Sequence, residues 1–365
     1  MDMDRVQRGT AGLAIVRTSL VRAVTGCAAQ IALGLATAPF IPFAGAQTSK
    51  VSIGITDAAT DAGFFIADKK GYFRAEGIEV TTTPFASAAG MIAPLGRGQL
   101  DVGGGTVAAG LYNAVELGVN LRIIADKGSV TDKLEYSTLL IRKDLVDSGR
   151  YKTLADLKGM AAATGSPGSG SESSLNEALK KGGLKFTDVK VVYMGFPQMF
   201  VAFVNKGIDA AVTNEPTVTR ALREGIAVRA SKDVIYPGQQ TAVVLFSENF
   251  AQQRRAVAQK FLNAYIRAVR DYNDALLDGR LAGASAADII SILTQYTEIK
   301  DRETYATMNA FAVDPNGGVN VATLKNDYNF FRERGLVGSK ITVEQVIDKS
   351  FAEEAVRVLG PYKPR

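Results

Sequence analysis

From residue 166 to residue 175 the chain reads Ser-Pro-Gly-Ser-Gly-Ser-Glu-Ser-Ser-Leu, a run dominated by hydroxyls and glycines. A short apolar stretch of strand length, 160–164, precedes it, and helix formers over 174–181 follow, stopped by Gly182 and Gly183. A strand that ends in small residues and turns straight into a helix leaves backbone N–H groups without partners, where the helix dipole also favours negative charge. Such a turn suits an oxyanion. Gly168 and Gly170 would let a ligand approach the main chain, and Ser166, Ser169, Ser171 and Ser173 add hydroxyls that donate or accept. The composition alone would also serve a flexible linker, and the order strand, turn, helix favours the binding turn. No lysine follows the last glycine as in a Walker loop, and the third glycine of a dinucleotide fingerprint is missing, which disfavours nucleotide chemistry.

The 365 residues contain no histidine, which removes the usual general base, the usual zinc ligand and the middle member of a catalytic triad. The one cysteine, Cys27, falls in the N-terminal segment, so a processed chain would carry neither a disulfide nor a thiol nucleophile. Chemistry by carboxylates or a lysine alone stays open. No cofactor and no metal set is expected. A net charge of +5, with Lys and Arg interspersed among Asp and Glu, argues against a nucleic-acid partner.

The elements that must position these groups follow a repeating order. Residues 1–46 read as an export signal: Arg5, Arg8, Arg17 and Arg22, an apolar run, then Ala44-Gly45-Ala46 as a small-x-small cleavage site. Val24-Thr25-Gly26-Cys27 resembles a lipoprotein cleavage box, but Arg22 interrupts the apolar run that should precede one. Strands are expected at 51–56, 78–85, 100–102 and 121–125, with helices between them, which predicts a parallel α/β sheet with its ligand groups at the carboxyl ends of the strands. Asp57, Ser87, Thr106 and Asp126 fall at such ends, with Thr56 and Asp61 beside the first, and Ser87 is placed to cap a helix. A connecting strand at 137–142 leads into the same pattern again, with strands at 160–164, 189–194 and 211–213. The last of these delivers Asn214 and Glu215, where Glu215 is either a helix cap or a ligand contact. The echo is partly literal: Gly98-x-Leu100-Asp101-Val102 in the first half answers Gly207-Ile208-Asp209-Ala210 in the second. A strand at 241–246 would return to the first half. Beyond it Val257, Phe261, Tyr265, Val269 and Tyr272 share one helix face and are read as core.

The segment Ala67-Asp68-Lys69-Lys70-Gly71-Tyr72-Phe73-Arg74-Ala75-Glu76-Gly77-Ile78-Glu79-Val80 resembles the opening signature of solute-binding proteins of nitrate, sulfonate, taurine and thiamine-pyrimidine ABC importers. Residues 98–102, Leu154-Ala155-Asp156-Leu157-Lys158-Gly159, the 166–171 turn and residues 207–216 resemble later landmarks of that family, in its order. The resemblance implies an α/β periplasmic-binding-protein fold of type II: two lobes joined by two crossing segments, with a solute clamped in the cleft. Lobe 1 would comprise 47–140 and 241–365 and lobe 2 would comprise 141–240, hinged near Ile141 and near 238–241. The cleft-facing positions it implies are Thr56, Asp57, Asp61, Ser87, Thr106, the turn from Ser166 through Gly168, Ser169, Gly170 and Ser171, and Asn214 with Glu215. It also implies a periplasmic monomer that hands a small anion such as a sulfonate, nitrate or carboxylate to an ABC permease with its cytoplasmic ATPase. Pyrimidine or aromatic binders, ligand-sensing partners of membrane receptors, and pyrimidine-synthesis enzymes share the fold. The enzymes depend on histidine, which this chain lacks.

Overall fold

A computed structural model describes residues 48–364, so the expected export signal and its cleavage after Ala46 lie outside the described residues. The strands are β1 Ser49–Ile55, β2 Ile78–Pro84, β3 Val102–Thr106, β4 Leu121–Ser129, β5 Ser137–Arg142, β6 Ala161–Thr164, β7 Lys190–Tyr193, β8 Ala210–Asn214, β9 Ala227–Arg229 and β10 Gln240–Ser247. They form two five-stranded sheets, ordered β2-β1-β3-β10-β4 and β7-β6-β8-β5-β9. In the first sheet β10 runs antiparallel between β3 and β4, and in the second β5 runs antiparallel to both β8 and β9. The parallel strands are linked through helices that cover the sheets, which explains the apolar runs that bury Val51, Ile53 and Ile55. Among the described residues no helix is long and apolar enough to cross a membrane.

The strand expected to connect the halves is an interior strand of the second sheet, where Ile141 pairs with both Ala210 and Val228. The chain therefore crosses between the sheets earlier, through 130–136, and not at Ile141. It returns through 230–239 and enters β10 at Gln240.

The sequence echo has a physical meaning. Asp101, just ahead of β3, accepts a 3.0 Å bond from Ser52 N of β1 and pairs with Arg254 at 2.9 Å. Asp209, just ahead of β8, accepts a 3.0 Å bond from Ala161 N of β6 and lies 3.3 Å from Arg142. In each sheet an aspartate just ahead of one strand accepts from a backbone N–H of the neighbouring parallel strand, so both sheets dock those strands in the same way.

Behind the first sheet the helix Arg255–Asp274 buries the predicted stripe of Phe261, Tyr265, Val269 and Tyr272. Phe73 stacks on Phe261 at 4.7 Å, and the Phe64 ring lies 5.2 Å from Tyr265. Tyr265 rests on Gly63, where a Cβ would come within 2.3 Å of its ring. Truncating such a buried aromatic costs about 3–5 kcal/mol.

Candidate functional site

The three glycines at 103–105 make room at the end of β3. A Cβ at Gly103 would meet Leu95 at 2.9 Å, one at Gly104 would meet Lys127 Cε at 2.6 Å, and one at Gly105 would meet Ala88 Cβ at 2.5 Å. The strand thereby lets the aliphatic chain of Lys127 pass across it and lets Ala88, in the turn after β2, lie against Gly105. Ser87 does not cap the helix Ala89–Gly96 with its side chain as predicted. Its backbone carbonyl accepts from Gly90 N at 3.1 Å, because the turn places the carbonyl and not the hydroxyl over the helix start. Ser87 and Thr106 are exposed, and neither hydroxyl has a partner among the described residues.

The turn after β1 is held from below. Asp61 is wholly buried, and its Oδ2 accepts from Thr56 N at 2.9 Å, Thr56 Oγ1 at 3.2 Å and Ala58 N at 3.2 Å. Its Oδ1 lies 2.9 Å from Nζ of Lys127, itself fully buried on β4. Asp61, expected to face the cleft, is thus turned inward by an ion pair that its own turn requires. Asp57 adopts φ 53°, and partial burial, reinforced by Asp61 and Glu298 and opposed by Lys300, holds its carboxyl above the ordinary value. Asp126 lies inside β4 and not at its end. Its oxygens accept from Gly128 N at 2.8 Å, Gln240 Nε2 at 2.6 Å and Asp314 N at 2.7 Å, and burial lifts its pKa to about 6.

The turn from Ser166 to Ser171 lies between β6 and the helix Gly170–Lys181, the predicted order of strand, turn and helix. Much of its polarity is used internally. Gly165 N donates to Ser171 Oγ at 3.0 Å, and Ser169 Oγ donates to Ser166 O at 2.7 Å. Gly168 N donates at 2.7 Å to Glu172, a fully buried carboxylate that also accepts from Tyr193 OH and pairs with Arg334. Ser169 occupies the cap position without accepting from a backbone N–H of the helix, its hydroxyl bonding Ser171 Oγ at 3.0 Å, and the Ser166 side chain is exposed without a partner among the described residues. The demanding glycine is Gly168, at φ 65° with a Cβ that would fall 2.6 Å from Ala109 Cβ. Gly170 has no positive φ, and its nearest neighbour, Gln239, would be an ordinary 3.5 Å away.

The two sheets meet at this turn. Ala109 N, three residues past Thr106, donates to Gly168 O at 2.8 Å, and Ala108 bridges Ser169. The chain just past β3 and the turn after β6 are therefore joined across the two sheets. A second connection runs through Asp327, which accepts from Ser173 Oγ at 2.5 Å and Tyr236 OH at 2.7 Å, joining the start of the Gly170–Lys181 helix to the return crossing and to the helix Val321–Glu333. Burial raises Asp327 to about 7.

Asn214 pairs with Ser137 at the end of β8. Glu215 is buried, and the cap reading is the one its geometry fits: it accepts from Thr219 N at 2.9 Å and Thr219 Oγ1 at 3.0 Å. It also takes Asn309 N and Nδ2, both at 3.1 Å, and burial keeps its carboxyl above the ordinary range against these bonds. Lys127, Glu172, Asn309, Asp327 and Arg334 had no place in the sequence reading. One signal for Lys127 was available: a lysine in an otherwise buried strand needs a gap to lie in, and three consecutive glycines provide one. Among the described residues no group of three or more His, Cys, Asp and Glu side chains is arranged to hold a metal ion.

This arrangement of sheets recurs in known proteins, and the family model described as NMT1-like matches residues 44–287. The chain belongs to the NMT1-like family. A relative from Escherichia coli (strain K12), named for binding aliphatic sulfonates, is 29% identical to this NMT1-like chain over 210 residues, 56% of the chain and 61% of the relative. The chain spans about three fifths of the length of the curated relatives it matches. Among solved structures, the periplasmic aliphatic sulphonate binding protein SsuA from Escherichia coli superposes with a TM-score of 0.66 at 22% identity, over 82% of this chain and 92% of that one. The periplasmic nitrate-binding protein NrtA from Synechocystis PCC 6803 gives 0.63 at 13% identity, over 86% and 90%. At these identities the likeness establishes the fold, that of periplasmic binding proteins, and the family resemblance read from residues 67–80 is borne out.

Proposed function

We propose that this NMT1-like protein is the extracytoplasmic solute-binding component of an ABC importer, a monomer that captures a small anion between its two sheets and presents it to a membrane permease coupled to an ATPase. What supports the reading is the hydrogen bond from Ala109 N to Gly168 O, which joins the chain just past β3 to the turn after β6, two segments that carry the exposed, unpartnered hydroxyls of Thr106 and Ser166; the gap proposed for the solute lies between them. Hydroxyls and main-chain groups suit capture and not proton transfer, and the chain has no histidine to shuttle a proton.

Charge supports an anion. Carboxylates facing the gap would repel one, but Asp61 is neutralised by Lys127, Glu172 by Arg334, and Asp126 and Glu215 are buried among donors. What remains toward the gap is polar and not acidic, apart from Asp57. Two crossing segments, 130–136 and 230–239, would let the sheets part and close around the solute.

A thermal-shift screen over inorganic anions, organic sulfonates, carboxylates and pyrimidines tests this reading. A true ligand at 100 times its dissociation constant adds about 2.7 kcal/mol of stability. Stabilisation by a sulfonate, nitrate or carboxylate is the expected outcome; stabilisation by pyrimidines alone contradicts the anion reading.

A further inference from the structure

The strand β9 is the outermost of the second sheet and pairs on one side only, with β5. Ala230 N donates to Leu139 O at 2.9 Å and Lys143 N to Ile226 O at 3.0 Å, and between them Val228 stands opposite Ile141. Antiparallel strands exchange bonds at every second residue, so Ala227 and Arg229 turn their N–H and C=O groups away from β5. Among the described residues nothing hydrogen-bonds to those groups. An open edge of this kind is a template for another extended chain.

A 560 Å³ cavity lies along this edge, walled by residues 228–232 on one side and by Val146 and residues 151–154 on the other. Tyr151 OH donates to Ala230 O at 2.8 Å and ties the two walls together. Val146, Leu154 and Val228 give the cavity apolar surface, and no residue assigned above to the strand-end gap lines it. Its charged lining is Lys152, Arg229 and Lys232, without a carboxylate. Glu135, from outside the lining, neutralises Arg229. Lys152 and Lys232 form no ion pair among the described residues. Asp156 attracts Lys152 from outside the cavity but is held by the N–H groups of Lys152 and Thr153, both at 2.8 Å. A ligand in the cavity therefore meets two unpaired ammonium groups, apolar surface and the free peptide groups of Arg229. The open edge asks for an extended backbone, the ammonium groups ask for carboxylates, and the apolar surface asks for aliphatic side chains. A second copy of this chain would bring the same cations to the edge and is disfavoured.

We propose that the β9 edge is a docking site for an extended acidic peptide segment of a partner protein, which adds to the second sheet as a further strand. The test is fluorescence anisotropy of a labelled Val-Glu-Val-Glu-Val-Glu peptide titrated with the purified protein. The peptide is expected to bind, and Val-Gln-Val-Gln-Val-Gln to bind at least about tenfold more weakly. Lys152→Gln and Lys232→Gln should each lower affinity about threefold, and together about tenfold, with the melting temperature kept because both side chains are exposed. A fully N-methylated form of the acidic peptide, which cannot donate to the Arg229 carbonyl, should bind about tenfold more weakly. A Thr106→Val/Ser166→Ala variant should keep peptide affinity. The proposal is overturned if the acidic peptide does not bind, if the glutamine peptide or the N-methylated form binds equally well, or if Lys152→Gln/Lys232→Gln binds as the wild type does. Loss of peptide binding in Thr106→Val/Ser166→Ala would also overturn it, by assigning the peptide to the strand-end gap and leaving the capture reading intact.

Discussion

The turn after β1 and the turn after β6 are built alike, each folding a later carboxylate back under its own N–H groups, yet their counter-ions come from different places. Asp61 is neutralised by Lys127, a residue of the same sheet, and both are wholly buried. Glu172 is neutralised by Arg334, which follows the helix Val321–Glu333, whose Leu324, Phe330 and Phe331 pack in the core with residues of the first sheet. The first turn is therefore fixed by its own half of the molecule. The second is fixed only while the C-terminal segment lies against it. In the proposed clamp this asymmetry would be useful: one wall would be formed in advance, and the other would take its final shape as the halves come together.

The comparison can be broken most strongly at Lys127. Lys127→Met leaves Asp61 buried without a counter-charge and should cost about 3–5 kcal/mol in chemical denaturation, most of it recovered in the Asp61→Asn/Lys127→Met double variant. Arg334→Gln should cost about 2 kcal/mol, because Glu172 keeps Tyr193 and Gly168 N and the pair is partly exposed. Hydrogen exchange should then rise at 166–172 and not at 56–61, and equal loss at both turns would break the distinction. Gly168→Ala should cost about 1–2 kcal/mol through its positive φ and its collision with Ala109, whereas Gly170→Ala should change stability by less than about 0.5 kcal/mol.

A further break acts through pH. Burial lifts Asp327 from 3.8 to about 7, so the folded chain holds its proton more tightly than the unfolded one. The stability this adds is complete below 3.8 and is lost as pH rises through about 7. Ser173, Tyr236 and Gln239 face the carboxyl and oppose the shift, while Glu177 adds to it. Asp327→Asn should flatten the melting temperature over that interval, leaving the similar but lower slope that Asp126 contributes up to about 6.

The fold was legible where periodicity and punctuation act locally. The alternation of strands and helices, the aromatic stripe of 257–272 and the paired aspartates at 101 and 209 are all visible in the residue order. The site was legible as backbone and only partly as side chains. The strand-end positions of Thr56, Ser87, Thr106 and Ser166 follow from where strands stop, but whether a carboxylate at such an end faces solvent depends on partners far away in sequence. Lys127 is 66 residues from Asp61, and Arg334 is 162 residues from Glu172. No local pattern announces those pairs, so Asp61 and Glu215 looked available when both are committed inside. The crossing near 130–136 was misplaced for a related reason: an apolar strand reads the same whichever sheet it joins, and only its partners decide.

The most direct measurement of the clamp is the radius of gyration by small-angle scattering, with and without a solute that raises the melting temperature. Closure of the two sheets through Ala109 and Gly168 predicts a smaller radius with the solute bound, and a Gly168→Ala variant that shows less of this compaction. A saturating, stabilising solute that leaves the radius unchanged would contradict the account.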